Sequence, residues 1–263
     1  MTRHILQGRT DQEVLWWQRR SFMRAAAAWT AMGGFTAAHA QQRSNIVDLT
    51  GDATVNGGRL TREQTIQTGD SIETGPNSNL IFVIGNSSFQ VRQNSRLTVE
   101  RGPTLFAVSV LRMLTGGVAA VFGKGTHRQV YTPTLTAGIR GTGIYTEVFP
   151  QQSFRSYFCN CYGTIDMGAG SDRAVSQSSY HQSFWGEVEP KDGKFLTPAN
   201  AINHTDEELE NLARLVGQQT AWQIEGHRGI KDGRGYMNEQ PPAMHPASPE
   251  YKGPPAGAGS GYR

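Results

Sequence analysis

Two cysteines separated by one residue are the groups in this chain with the clearest potential for chemistry. Cys159 and Cys161 lie in the run Tyr157-Phe158-Cys159-Asn160-Cys161, and they are the only cysteines among 263 residues. The pattern of this run predicts a β-strand, in which alternate side chains point to one face. Both thiols therefore share a face with Tyr157, where they can bond to each other, ligate a metal or pack.

Three interpretations of the pair are open from sequence. A disulfide is favoured in an oxidising compartment, although the strand spaces the two Cα atoms by about 6.5–7 Å, near the upper limit for such a bond. A strained disulfide would be easily reduced and redox-active. A metal or haem site is the second interpretation, with His181 and His204 as the histidines brought in from elsewhere. The third is a pair of small buried hydrophobic side chains with no chemistry.

Signatures of other chemistry are missing from the sequence. There is no Gly-x-Ser-x-Gly elbow, no His-Glu-x-x-His, no Walker loop and no dinucleotide-binding glycine pattern between a strand and a helix. The spacing at Cys159 and Cys161 matches neither paired Cys-x-x-Cys zinc motifs nor the Cys-x-x-Cys-His haem motif. We therefore expect no catalytic residues, no enzyme activity and no resident cofactor, with a metal ion or haem at the cysteines as the alternative.

The secondary-structure elements that position these residues are predicted to be mostly β-strands. Short apolar runs are broken by glycine, asparagine and proline every 8–12 residues, which is typical of a sandwich, barrel or short solenoid. A run at 79–84 predicts a strand buried on both faces, whereas Ser88, Gln90 and Arg92 alternate with apolar residues and predict a strand with one wet face. Further strands are expected at 104–113, 117–122, 127–132, 143–149, 153–161 and 163–167.

The C-terminal part is predicted to differ from this β region. Residues 168–232 form an extension with few strong strand signals and one short helix at 205–216. Thr205 and Glu208 form a capping box at its start, and Leu209 and Leu212 lie on the face that we expect to pack on the β region. Residues 233–263 are rich in glycine and proline and predict a disordered tail.

The N-terminal 40 residues predict a cleaved export signal. The pair Arg19-Arg20 is followed by Phe22, then by an uncharged run of about 14 residues, and Ala38-His39-Ala40 offers small residues for cleavage after Ala40. This pattern resembles the twin-arginine signal, whose translocase, as the resemblance implies, carries proteins that are already folded. The apolar run is shorter than the roughly 20 residues of a membrane span, so no integral span is expected in the mature chain.

Four stretches in the β region carry a recognisable pattern, at 51–57, 68–83, 115–118 and 132–143. They resemble the FecR domain, and the resemblance covers residues 46–167. It implies a two-sheet sandwich or solenoid-like stack that acts by contact with other proteins. Full transducers of the family carry a cytoplasmic anti-sigma segment and a membrane span. Only 18 residues precede Arg19, so we do not expect a direct anti-sigma role here.

Charge and composition complete the functional expectation. The net charge of +3 arises in residues 1–40, which carry five arginines against Asp11 and Glu13, and the remainder is neutral. No basic stripe is left to bind nucleic acid. The leading hypothesis is a non-catalytic, periplasmic or otherwise exported protein that binds an envelope protein or a cell-surface polymer. The alternatives are a metal-, haem- or thiol-redox protein using Cys159 and Cys161, and an accessory of iron-citrate-type signalling.

Overall fold

Short strands joined by tight turns make up just over half of the described chain. The computed structural model describes residues 44–104, 107–125, 127–226 and 228–229. The predicted mostly β fold class is confirmed. The fifteen strands are β1 Ile46–Thr50, β2 Ala53–Val55, β3 Gly58–Arg59, β4 Ser71–Thr74, β5 Asn79–Ile84, β6 Ser87–Val91, β7 Arg96–Arg101, β8 Val108–Phe122, β9 Arg128–Tyr131, β10 Thr136–Ile139, β11 Gly143–Phe149, β12 Arg155–Ala169, β13 Asp172–Ser178, β14 Gln182–Lys191 and β15 Lys194–Ala199.

The strands form two sheets that share their two longest members. In the first sheet the order is β1-β5-β6-β8-β11-β12-β14-β15, and every neighbouring pair is antiparallel. In the second sheet the order is β3-β2-β4-β7-β8-β9-β10-β12-β13, with one parallel pair between β8 and β9. The strands β8 and β12 therefore run from one sheet into the other.

Glycines form the corners at which β8 and β12 change sheet. Gly116 has φ of 76° and Gly163 has φ of 107°, a left-handed region that glycine adopts without steric strain. A Cβ atom at Gly116 would lie 2.2 Å from the Ser95 hydroxyl, and one at Gly163 would lie 2.3 Å from Thr142. The sequence predicted separate strands here, with Gly116 between two of them and Gly163 as the first residue of the strand at 163–167, but a glycine inside a strand also permits a sharp bend.

Each face of the first sheet packs against something different. One face shares the main apolar core with the second sheet, and its aromatic members include Phe82, Phe89, Phe122, Phe158 and Phe184. The opposite face carries a second apolar cluster, to which the segment after β15 contributes Ile202, Leu209, Leu212, Ala213 and Trp222. We call this segment, residues 200–226, the C-terminal cover.

The C-terminal cover contains two helices, where one was predicted. Helix α1 is Asp206–Leu215, and its predicted capping box between Thr205 and Glu208 is present. Helix α2 is Ala221–Glu225, a single turn too short to show a helical period in the sequence. The Leu face of α1 packs on the sheet as predicted, with Leu209 and Leu212 fully buried.

The cover also changes the expected environment of β6. Ser88 and Gln90, predicted to face water, are buried beneath α1. The Ser88 hydroxyl donates to the carbonyl of Leu212 at 2.7 Å. The Gln90 amide donates to Glu208 at 3.4 Å. Alternation along the strand was correct, but the polar face meets a helix instead of solvent.

The β structure also runs beyond residue 167, where the sequence placed the end of the β domain. Strand β13 pairs with the distal half of β12, and β14 pairs with its first half. The predicted signal at 1–40 and the predicted tail at 233–263 lie outside the described residues. Among the helices of the described part of the chain, none has the length and apolar character needed to cross a bilayer.

Candidate metal centre

Strand β12 presents both cysteines on the face covered by the C-terminal segment. Tyr157, Cys159 and Cys161 all belong to the second apolar cluster, as alternation predicts. The pairing with β11 slips here, because Ile144 lies opposite Asn160 whereas Gly143 lies opposite Tyr162.

Cys161 is thus the extra residue of a β-bulge, a distortion that redirects side chains and often lies beside functional sites. Both cysteines are thiols, and their sulfur atoms are 3.7 Å apart.

His181 reaches the cysteines from the loop between β13 and β14. Its backbone N–H donates to the carbonyl of Cys161 at 2.9 Å, and its Nδ1 lies 3.6 Å from Cys159 Sγ. The side chain is fully buried. Its φ of 41° is in the left-handed region, which non-glycine residues adopt at an energetic cost and mostly where the surrounding structure or function requires it.

His204 comes from the C-terminal cover, immediately before the N-cap of α1. Its Nε2 lies 2.9 Å from Nδ1 of His181, and its ring stacks on Tyr145 with centroids 4.8 Å apart. The Nδ1 atom lies 2.6 Å from the carbonyl oxygen of Ile202. A stacked ring with one nitrogen bonded to the backbone is held in a single orientation, with its other nitrogen facing the cysteines.

The four side chains converge on one point. Cys159 Sγ, Cys161 Sγ, His181 Nδ1 and His204 Nε2 all lie within 4.8 Å of one another, and all four residues are buried. Around a tetrahedral zinc ion, two sulfurs stand about 3.8 Å apart and a sulfur and a nitrogen about 3.6 Å apart. The observed 3.7 Å and 3.6 Å match these edges. The two nitrogens, at 2.9 Å, would part by a few tenths of an ångström.

The outer nitrogen of each imidazole has an acceptor of its own. His181 Nε2 lies 2.9 Å from Oδ1 of Asp206, and His204 Nδ1 bonds the Ile202 carbonyl. The other carboxylate oxygen of Asp206 accepts from the Tyr180 hydroxyl at 3.0 Å and lies 3.5 Å from Nε of Arg228. Metal-bound histidines almost always make such outer hydrogen bonds to a carboxylate or carbonyl, which orient the ring.

The surroundings of the cluster shift the pKa values of its neighbours. Burial by itself raises the pKa of the Cys159 thiol, but contacts with Cys161 and both imidazoles outweigh burial and hold that pKa well below its usual range. Burial raises the pKa of Tyr157 well above its usual value, and the nearby Cys159 adds to the rise. Burial likewise raises the pKa of Tyr180, with Asp206 adding to it. These tyrosines remain neutral hydrogen-bond donors at neutral pH.

The structure brings together all four residues that the sequence nominated as metal ligands. Four protein donors around one point suit a single ion better than haem, whose iron takes its protein ligands along one axis. Sequence reasoning did not name Asp206 as part of the site, because Thr205-Asp206-Glu207-Glu208 was fully explained as a helix start. Arg19, Arg20, Phe22 and the cleavage point after Ala40 lie outside the described residues.

Comparisons with known proteins add little to this picture. No protein-family model matches the chain, and no curated protein matches it either. A crystal structure of a proposed anti-sigma factor from Parabacteroides distasonis aligns with 44% of this chain and 53% of that one, at 9% identity and a TM-score of 0.36. The alignment thus spans about half of that protein, and the similarity is too low to establish a shared fold. The FecR resemblance stays a prediction.

Proposed function

We propose that this protein binds one transition-metal ion, zinc in the first place, through Cys159, Cys161, His181 and His204. The ion would be structural, fastening the C-terminal cover to the first sheet. From sequence alone, partner binding ranked ahead of metal binding, and the geometry of the four donors reverses that order. The observation that carries the proposal is the facing pair of imidazole nitrogens.

The two inner nitrogens need a shared cation. The Ile202 carbonyl and the Asp206 carboxylate accept hydrogen bonds, so the outer nitrogens of His204 and His181 carry the protons. In neutral rings the inner nitrogens are then both lone-pair acceptors, only 2.9 Å apart. Two buried acceptors facing each other are unfavourable unless a proton or a metal ion lies between them. A metal ion would satisfy both nitrogens and both sulfurs at once.

The donor set favours a soft or borderline divalent ion. Thiolate and imidazole suit Zn²⁺, whereas Mg²⁺ and Ca²⁺ prefer oxygen. Two thiolates also neutralise a dication, which removes the large penalty for a buried net charge. An iron–sulfur cluster of the Cys₂His₂ type divides its ligands between two irons, whereas these four atoms all lie within 4.8 Å. One mononuclear ion therefore fits best.

The closed character of the site supports a structural role. Structural zinc sites take four protein ligands, whereas catalytic ones keep a position for water or substrate. Here all four ligands are buried, and they come from β12, the loop before β14 and the C-terminal cover. An ion at this point would join three segments that are separate in sequence. This agrees with the non-catalytic role expected from the missing hydrolase and nucleotide-binding motifs.

The test is metal content on the full chain. Protein produced with added Zn²⁺ is desalted, and its metal is quantified by elemental analysis, with Co²⁺ substitution to report tetrahedral thiolate ligation by absorption. We expect one ion per chain. Cys161→Ser and His204→Ala should each lose it, whereas His127→Ala, which removes an exposed histidine elsewhere, should keep it. Uptake well below one ion, or equal uptake in all variants, would overturn the proposal.

We propose further that the protein works outside the cytoplasm. The support is the twin-arginine-like motif at Arg19-Arg20 and the small residues before residue 41. A route for folded proteins also suits a buried site, because the ion could be loaded during folding in the cytoplasm. Fractionation of cells that express wild type or a double Arg19→Lys, Arg20→Lys variant tests this. Export of both forms alike, or of neither, would contradict it.

The FecR-like resemblance supports a role in contact with an envelope protein or surface polymer. The β module would be the contacting part, and the metal centre would keep the C-terminal cover in place beside it. Pull-down of the full exported chain from envelope extract tests this separately from the metal. A specific partner is expected, and recovery of none would count against the proposed contact role.

A further inference from the structure

We propose that Cys159 and Cys161 are also a reversible redox pair, and that their disulfide and the bound ion exclude each other. The exclusion rests on the metal site proposed above, whereas the disulfide itself does not. The inference thus assigns a two-electron oxidation, with small disulfides as the class of oxidant, to the same two sulfurs.

The geometry places the two sulfurs within reach of each other. They are 3.7 Å apart on the same face of β12, so bond formation at about 2.05 Å requires only a modest approach. In a regular strand, residues two apart lie near the upper limit for a disulfide. The bulge at Cys161 breaks that regular spacing and allows the local backbone to differ from an extended strand.

Within this chain, each of the two cysteines can form a disulfide only with the other. The chain has no third cysteine, and both are fully buried. A lasting bond to another protein molecule would keep a sulfur outside the core, whereas a small disulfide needs only brief access to one sulfur before the bond between neighbours closes inside the core. Oxidation is therefore directed to the intramolecular product.

The chemistry balances with a disulfide reagent as the oxidant. One cysteine thiolate attacks a sulfur of the reagent, the reagent S–S bond breaks, and one reagent thiolate leaves. The second cysteine thiolate then attacks the first cysteine's sulfur, forming the Cys159–Cys161 bond and releasing the second reagent thiolate. Two electrons pass to the reagent, and the protons of the two cysteines leave to the reagent thiolates and to solvent.

The oxidised pair can no longer hold the ion. A metal ligand must be a thiolate, and neither sulfur of a disulfide carries that charge. The ion would keep only His181 and His204, too few for a tetrahedral site. Since His204 belongs to the C-terminal cover, loss of the ion also removes one of the links between the cover and β12, beside the Ile202–Tyr157 hydrogen bond.

The experiment compares zinc-loaded and chelator-stripped full chain, each incubated with oxidised glutathione. Intact-protein mass, thiol titration and a chromogenic zinc indicator are read together. The stripped protein should lose two hydrogen atoms and both thiols. The loaded protein should react at least tenfold more slowly and release one ion for each disulfide formed. Dithiothreitol should restore both thiols and zinc uptake.

The outcomes separate the two proposals. Stripped wild-type protein that keeps both thiols, or that stops at a glutathione adduct, overturns the redox pair even where zinc binds. A disulfide that forms while zinc stays bound overturns the exclusion. A disulfide in a chain that never takes up zinc leaves the redox pair standing and removes the metal proposal. Cys159→Ser and Cys161→Ser should each stop at a mixed disulfide, but the wild-type arms decide the result without them.

Discussion

The imidazole of His181 is bonded through Nε2 to Oδ1 of Asp206 at 2.9 Å, so the cluster of four candidate ligands is tied directly to the first residue of α1. The neighbouring His204 stands two residues before Asp206 in the same chain segment. The segment that leads into this helix thus supplies one candidate ligand, His204, and its first residue supports another, His181. The four donors are therefore brought together only where the C-terminal cover is docked on the sheet.

The first prediction concerns this support. Asp206→Asn replaces a charged acceptor by a neutral one and places an NH₂ group among donors from His181, Tyr180 and Arg228. Loss of such an outer partner typically weakens metal affinity by about 10–100-fold. Competition with a chromogenic zinc chelator measures the change. Glu207→Gln removes the same charge from the same helical turn, without contact to the cluster, and should bind zinc like wild type.

The second prediction concerns removal of the ion. An ion that binds only the folded state stabilises it by about 4 kcal/mol when its free concentration is a thousandfold above Kd. For a domain of this size that corresponds to roughly 10 °C in Tm. Calorimetry with and without a chelator should show this loss, and the Cys161→Ser variant should show none on chelation.

Amide hydrogen exchange should show which part of the chain loses stability when the ion is removed. Backbone amides of α1 should lose protection on chelation, whereas strands β5 and β6, whose inner face lies in the main core, should keep most of theirs. Uniform loss across both regions would contradict a role limited to the C-terminal cover.

Some of the site is readable from sequence and some is not. The shared face of Cys159 and Cys161 follows from the two-residue period of a strand. His181 and His204 could be nominated only as histidines within reach. They lie 20 to 45 residues from the cysteines in the chain, and only the pairing of distant strands brings their loops to the same place. The role of Asp206 could not be read, since the same residue fits a helix N-terminus equally well.

The fold, like the site, has features that the sequence predicts and features that it does not. Strands and their alternation were predictable, as at Gly143–Phe149, where prediction and structure agree. The continuity of β8 and β12 was not, because a glycine in the sequence fits a turn between two strands as well as the bend within one strand that Gly116 and Gly163 make here. The burial of Ser88 and Gln90 depends on α1, which lies more than 100 residues away in the chain and gives no local signal.

The third prediction tests how α1 is held. Leu212→Ala empties a fully buried position between the helix and the sheet. Such truncations cost about 2–5 kcal/mol of unfolding free energy. Leu215→Ala, in the same helix but only partly buried, should cost clearly less. Urea unfolding of zinc-loaded protein measures both, and equal losses would contradict the packing described here.

An ion pair between β12 and β14 provides a pH-dependent contribution. Arg155 contacts Glu187 through two hydrogen bonds of 2.6 Å, and its guanidinium stacks on Trp185 at 3.9 Å. Thr197 of β15 donates to the same carboxylate at 2.8 Å. Burial raises the pKa of Glu187, but the hydrogen bonds from Arg155 and Thr197 outweigh burial, so the net pKa is lowered.

The fourth prediction follows from the sign of that shift. Because folding lowers the pKa of Glu187, its charged form adds stability above the ordinary glutamate pKa of about 4.3, and this stability is lost as pH falls through the lower folded value. Glu187→Gln should therefore lower the unfolding free energy by about 2 kcal/mol at pH 7, with the difference from wild type shrinking below about pH 4. Acid loss of the metal site is common to both proteins and cancels in the difference. Glu189→Gln, an exposed carboxylate on the same strand, should show neither effect, and a difference that grows on acidification would contradict the assignment.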